Sequence, residues 1–175
     1  MPLVDQLDYV VPSPNALQRA LQRVVSSRPG AWLLARSAPQ LDRIVLGLSR
    51  GRITAAQVVA GIPVVQLVTT GARTGRKRVT PLLGVPHGDR IAVIGTRFGQ
   101  PGTPAWYFNL HSNPHAELRF RDRTVAVVAE EIEGPEWQTV WEAGNRLYPG
   151  YDAYARRIRD REVRIMVLRS TSGPA

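Results

Sequence analysis

The sequence predicts an α+β, mainly β fold: a small barrel of about six mostly antiparallel strands, with peripheral helices and a helical N-terminal extension. Two observations carry this. The apolar residues change period at Pro63, helical before it and strand-like after it. The strand-like stretches are short and separated by turn formers: Gly71 to Gly75, His87-Gly88-Asp89 and Arg121-Asp122-Arg123. Successive antiparallel strands of this length close most readily into a barrel.

The elements follow in order. Ser13-Pro14 reads as an N-cap with proline at the first helical position. Leu17, Leu21, Val24 and Val25 then share one helical face, Arg19 and Arg23 lie on the other, and Pro29-Gly30 ends the helix. A second helix carries Leu41, Ile44, Val45 and Leu48, and a third begins at Thr54. Strands are expected at 64–70, 78–85, 90–96, 116–120, 124–132 and 164–168. Helices are expected from Pro104 to Leu110, from Gly134 with Trp137, Val140, Trp141, Gly144 and Leu147 on one face, and from Tyr151 to Arg161. The expected organisation is an N-terminal extension at 1–62, a barrel at 63–170 and a flexible tail at 171–175.

A chain of 175 residues with 43% hydrophobic and 21% charged residues is a globular domain. It carries 23 cations against 14 anions, a net +9, and Lys77 is its single lysine. Such a surface attracts nucleic acid, anionic lipid or anionic cofactors, and net charge alone does not choose among them. No dense basic run of nucleic-acid type occurs, so nucleic acid is not the expected partner. The absence of cysteine removes disulfides, thiolate nucleophiles and thiolate metal sites, and fits a cytoplasmic chain. Residues 1–11 carry two aspartates and no cation, unlike a secretory signal. The uncharged stretch 53–72 contains Pro63 and several polar residues and is not expected to span a membrane.

The strongest chemical signal is Gly71-Ala-Arg-Thr-Gly-Arg-Lys-Arg-Val-Thr-Pro-Leu82. It places Arg73, Arg76, Lys77 and Arg78 around a glycine turn between two strands. Glycine lets the backbone approach a ligand closely, and arginine forks match phosphate and carboxylate. A solvated turn needs fewer cations. The spacing lacks the lysine followed by serine or threonine of a phosphate loop. Weaker signals are Thr96-Arg97-Phe98-Gly99 at a strand exit, and Pro104-Ala-Trp-Tyr-Phe-Asn109, whose helix start suits an anion or a carbonyl. Three adjacent aromatics cannot all face one core. Tyr148, Tyr151 and Tyr154 could pack a flat substrate and donate a proton, or simply fill a core. His87, His111 and His115 have no metal-ligand spacing and are read as turn or loop histidines.

In combination, these motifs resemble the deazaflavin-dependent nitroreductase family. The similarity rests on Gly-x-Arg-Thr-Gly-x-x-Arg-x-Thr-Pro-Leu at 71–82, Gly-Thr-x-Phe-Gly-x-Pro at 95–101, Pro-Ala-Trp-Tyr-x-Asn-Leu-x-x-Asn-Pro at 104–114 and Tyr-Pro-x-Tyr-x-x-Tyr at 148–154. It covers roughly residues 64–169. The resemblance implies a split β-barrel and an oxidoreductase. Hydride would pass from reduced coenzyme F420, a deazaflavin with a phosphate and an oligoglutamate tail, to a quinone, an enone or a nitro compound. It implies that Ala72, Arg73, Thr74, Arg78, Val79, Thr80, Pro81, Leu82 and Leu83 border phosphate, tail and ring. Ile94, Gly95, Thr96, Arg97, Ala105, Trp106, Tyr107, Phe108 and Asn109 would complete the cofactor site. Tyr148, Tyr151 and Tyr154 would line the substrate side, with Tyr151 or Tyr154 as proton donor. Several members carry lysine where this chain has Arg97, and the N-terminal region is longer than in many relatives.

Three alternatives stay open at the level of sequence: a flavin mononucleotide (FMN) enzyme on the same barrel, a non-catalytic barrel that stores cofactor or carries haem or lipid, and a nucleic-acid binder. The first helix could pack on the barrel or on another subunit, or rest on the inner face of a membrane through its Arg19 and Arg23 side. A monomer or a homodimer fits equally.

Overall fold

The computed structural model describes residues 1–11, 15–27, 29 and 63–171. Six strands form a closed barrel: β1 (Val64–Thr70), β2 (Lys77–His87), β3 (Arg90–Ile94), β4 (His115–Phe120), β5 (Arg123–Glu131) and β6 (Ile165–Ser170). Around the barrel the order is β1-β2-β3-β6-β5-β4, and β4 pairs back onto β1. Every pairing is antiparallel. The helices are α1 (Leu3–Gln6), α2 (Ala16–Ser26), α3 (Ala105–Ser112), α4 (Gly134–Leu147) and α5 (Gly150–Ala155). A short 3₁₀ turn spans Arg97–Gly99.

The two-residue side-chain period sorts the strands into an inner and an outer face. Leu67 faces Leu118, Val93 faces Met166 and Ala129 faces Leu168 across the ladders, and these close into the barrel interior with Val65, Ile91 and Val127. On the outer face Val85, Ala92, Ile94, Ile165 and Val167 form a second core with Val140 and the three tyrosines of α4, α5 and their junction. The barrel thus has one filled interior and one helix-covered flank.

The two ends differ. At one end α1 acts as a plug. Leu3 and Leu7 are fully buried in the interior core, and the Leu3 amide bonds the Asp89 carbonyl at 2.8 Å. The Tyr9 hydroxyl reaches the Gly84 carbonyl at 2.5 Å and lies 3.1 Å from the Pro63 carbonyl. A side chain at Gly84 would place its Cβ 2.6 Å from that hydroxyl, so the strand is glycine where the tyrosine crosses it. Burial raises the Tyr9 pKa and keeps the phenol neutral.

Three local expectations need correction. The N-cap of α2 is Asn15, not Ser13. Its side chain accepts from the Gln18 amide at 2.8 Å, and the Gln18 side chain accepts from the Asn15 amide at 3.0 Å, so one box satisfies two free donors. The helix stops at Ser26, before Pro29, where the Ser27 amide and hydroxyl turn back to the Val24 carbonyl. The α2 face is also rotated from the pattern. Gln22 is buried, whereas Leu17 and Val24 are 70% and 63% exposed. The helix expected over 151–161 stops at Ala155. Instead, Arg157 and Ile158 make i+3 bonds to Tyr154 and Ala155. The helices expected at 41–48 and from Thr54 lie outside the described residues.

Candidate functional site

The end opposite α1 gathers the predicted groups, because the β1–β2 hairpin, the β3 exit, the start of β4 and the β5 terminus all finish there. The hairpin is closed by Gly71, whose carbonyl accepts from Thr74 and Gly75 while its amide donates to Arg76. Gly75 takes the left-handed conformation, φ 64°, that its turn requires. Of the four cations, Lys77 is ion-paired to Glu117, which also takes Arg119 at 2.7 Å. The Lys77 hydrogen bond, followed by that of Arg119, holds the Glu117 carboxyl below its ordinary range. Arg73, Arg76 and Arg78 are exposed and have no carboxylate partner among the described residues. All four cations are thus exposed, and Lys77 is the one already engaged by a carboxylate.

Beside them the barrel wall is incomplete. β2 pairs with β1 from Lys77 onward, but with β3 only from Gly84. The Gly84 amide donates to Pro63 on the β1 side at 3.2 Å. By strand alternation the backbone groups of Val79 and Pro81 face the other edge, which β3 does not reach. Proline at 81 fits an open edge, since it has no N–H to offer. This split exposes a short row of backbone acceptors and donors directly below the basic hairpin.

Asn109 joins α3 to the hairpin. It is buried, donates to the Thr69 hydroxyl at 3.0 Å and accepts from the Ala72 amide at 3.0 Å. The three aromatics of α3 diverge: Trp106 is buried, Tyr107 is half-buried and Phe108 is 54% exposed. Trp106 packs beneath Gly95, where a Cβ would sit 3.6 Å from its ring. Tyr107 donates to Glu131 at 2.8 Å. Burial first, and that carboxylate second, raise its pKa. Ala105 is exposed at the first turn of α3.

The β3 exit is strained. Arg97 and Phe98, both non-glycine, have φ of 49° and 57°, and Gly99 and Gly102 follow at 75° and 78°. Each left-handed non-glycine costs about 1–3 kcal/mol, so surrounding contacts must hold the loop. Phe98 meets Tyr154 edge-on at 5.9 Å, and Arg97 donates to the Pro101 carbonyl at 2.7 Å. Thr96 is buried and Arg97 is exposed.

The structure brings the tyrosines to the outer flank, not to an open cleft. Tyr148, Tyr151 and Tyr154 are all buried, in one cluster with Ile94 and half-buried Leu83. The Tyr148 and Tyr154 hydroxyls lie 2.8 Å apart. Burial raises all three pKa values, so each is a protonated phenol at neutral pH. At Tyr154 the Tyr148 hydrogen bond first, and the Arg157 guanidinium 5.7 Å over its ring second, work against that rise. Sequence reasoning missed Arg161, Asp160, Glu131 and Arg164 at this end. Their partners lie 24 to 66 residues away, and no local pattern announces them. Among the described residues no group of histidines and carboxylates could hold a metal. His87 bonds Glu136 at 2.9 Å and His111 stacks on Tyr107.

A family model described as F420H(2)-dependent quinone reductase matches residues 47–170. The chain belongs to that family. The F420H(2)-dependent quinone reductase Rv1261c of Mycobacterium tuberculosis is 30% identical over 135 residues, 72% of this chain and 90% of the relative. Among solved structures, the F420-H2 dependent reductase FDR-A is 33% identical with a TM-score of 0.56, over 61% of this chain and 93% of that one. A chain described as a domain-swapped dimer is 28% identical with a TM-score of 0.58, over 80% and 98%. The family description names quinones, one of the three substrate classes that the resemblance implied. Members of this F420H(2)-dependent family are oxidoreductases, and the six-stranded barrel is theirs. No described helix is long and apolar enough to cross a membrane.

Asn109→Ala removes one buried and one half-buried bond and strands the buried Thr69 hydroxyl. It should lower unfolding free energy by about 1–3 kcal/mol in urea titration. A loss under about 0.5 kcal/mol would show that the α3–hairpin tie carries no stability.

Proposed function

We propose that this chain reduces a quinone with hydride from reduced coenzyme F420 bound at the split end of the barrel. The observation that carries it is the set of three unpaired guanidinium groups, Arg73, Arg76 and Arg78, above the open edge of β2. The fit is chemical. A phosphate and a carboxylate tail need exposed cations without internal partners, and a flat heterocycle with donors and acceptors on its rim needs free backbone groups. Arg73 and Arg78 hold the acidic tail and phosphate. Val79, Pro81 and Leu83, with Thr96 and Arg97, border the ring. Ala72, Thr74, Thr80 and Leu82 shape the strand and turn beside it. Ile94, Gly95, Ala105, Trp106, Tyr107, Phe108 and Asn109 close the far side.

When bound in its reduced form, the deazaflavin supplies the hydride. The protein orients the reactants and excludes water from the transfer. Hydride addition leaves a quinone one proton short of the hydroquinone. Tyr154 is the proposed donor to that oxygen, with the Tyr148 hydroxyl beside it to share and replace the proton. Tyr151 supports this pair by packing against Tyr148 and Trp141. The FMN reading differs in one observable, since it expects a flavin spectrum from the purified protein. The exposed Leu17 and Val24 of α2 are assigned to an anionic membrane face, which would bring a lipid-soluble quinone near the site.

Arg73→Ala and Arg78→Ala should each weaken F420 binding by about tenfold, more for longer glutamate tails and less at high salt. Fluorescence titration that gives parent-like constants for both would remove the hairpin from the site. Tyr154→Phe should lower kcat with a quinone by at least about tenfold while leaving cofactor affinity near that of the parent. Unchanged kcat would eliminate Tyr154 as donor. Anionic liposomes should co-sediment the parent and release Leu17→Ser/Val24→Ser, and equal pelleting of both would exclude α2 as the contact.

A further inference from the structure

The left-handed loop at the β3 exit is held from behind by two residues that lie outside every motif in the sequence. Arg161 donates from Nη1 to the Gly95 carbonyl at 2.9 Å and from Nη2 to the Thr96 carbonyl at 3.3 Å. Nη1 also reaches the Glu162 carbonyl at 3.2 Å. Asp160 accepts from the Gly102 amide at 3.1 Å. The loop from Gly95 to Gly102 is thus gripped at both ends by adjacent residues of the segment that leads from α5 to β6. Between these grips it lies tight against α5, because a Cβ at Gly99 would be 3.1 Å from the Tyr154 carbonyl and 3.1 Å from the Arg157 side chain.

The direction of the grip matters. In a trans peptide the carbonyl oxygen and the following N–H point opposite ways. With the Thr96 carbonyl drawn to Arg161, the Arg97 N–H faces away from the clamp. Thr96 is right-handed helical (φ −80°, ψ −22°) and Arg97 is left-handed (φ 49°), the pair of conformations that turns successive N–H groups toward one side; the Thr96 amide is bonded to the Ile94 carbonyl at 3.2 Å, so the Arg97 and Phe98 N–H groups are the ones it can offer. The exposed Arg97 side chain adds its charge beside it. Arg161 itself is half-buried, and its Nε has no partner among the described residues. A desolvated guanidinium with an unmet donor is a poor choice for stability alone.

We infer that Arg161, with Asp160, is a positioning residue for cofactor affinity: it fixes the Thr96–Phe98 backbone so that the Arg97 and Phe98 N–H groups and the Arg97 side chain meet the bound cofactor. The inference rests on the proposed F420 site, but it adds a residue that touches neither cofactor nor substrate. It also couples the two sides of the site, since the clamp segment continues directly from α5, which carries Tyr151 and Tyr154.

The test compares the parent with Arg161→Ala, Arg161→Lys and Asp160→Ala by two readouts. The first is oxidised F420 titration with steady-state kinetics on a soluble quinone. The second is hydrogen exchange of the Gly99 and Gln100 amides, which bond the Thr96 and Arg97 carbonyls. Arg161→Ala should raise the dissociation constant and the KM for the reduced cofactor by about tenfold, with kcat at saturation falling less than about threefold. Both amides should exchange at least about tenfold faster. Arg161→Lys, which can satisfy one carbonyl at a time, should fall between the parent and Arg161→Ala. Asp160→Ala, with the arginine intact, should loosen the loop less. Parent-like affinity and exchange in Arg161→Ala would overturn the inference, as would a lowered melting temperature with both readouts unmoved. If the parent itself bound no F420, the functional proposal would fail. The clamp would then be judged on exchange alone, where parent-like protection in Arg161→Ala would end it too.

Discussion

The organising constraint of this molecule is an unfinished ladder. β3 joins β2 only from Gly84 onward, so the first half of β2 has a partner on one side alone. A free strand edge invites unwanted pairing unless something blocks or uses it. Here Pro81 withholds a donor, and exposed arginines crowd the hairpin above. The edge is therefore guarded against another strand and available to a small, flat, acidic molecule. The closed remainder of the barrel makes this possible: with α1 sealing the far end and the interior filled by Leu67, Val93, Leu118 and Leu168, the split end need not hold the fold together.

Around that opening, polar side chains do the positioning. Asn109 ties α3 to the hairpin through Thr69 and Ala72, and Glu131 ties Tyr107 to the β5 terminus. These bonds are buried or half-buried, where an unmet partner is costly, so the elements that frame the opening resist independent movement. The tyrosine cluster is different in kind. It belongs to the apolar core on the outer flank, where burial raises the pKa of its phenols further above neutrality.

Much of this was legible in the sequence, for definite reasons. The strands are short, apolar and bounded by Gly75, Gly88 and Arg121, all left-handed in the structure, so hairpin boundaries were readable to within a residue or two. The hairpin cations were visible as a composition anomaly. What local pattern could not show was which cation is already engaged. Lys77 finds Glu117 forty residues away across β1, a pairing fixed only by barrel closure. The same limit hid Arg161. Its segment reads as the end of a basic helix, but that helix ends at Ala155 and the chain beyond it reaches Gly95. The rotated face of α2 has a related cause. Tertiary packing buries Gln22 and leaves Leu17 in solvent, against the apolar stripe.

The central claim is that the open edge of β2 and the unpaired arginines above it form one site for an acidic redox carrier. A crystal structure of the chain with oxidised F420 tests it most directly. The account predicts tail carboxylates within about 4 Å of Arg73, Arg76 or Arg78, and the ring lying along Val79 to Leu83. A cofactor seated on another face, with the hairpin and the β2 edge left to solvent, would contradict it.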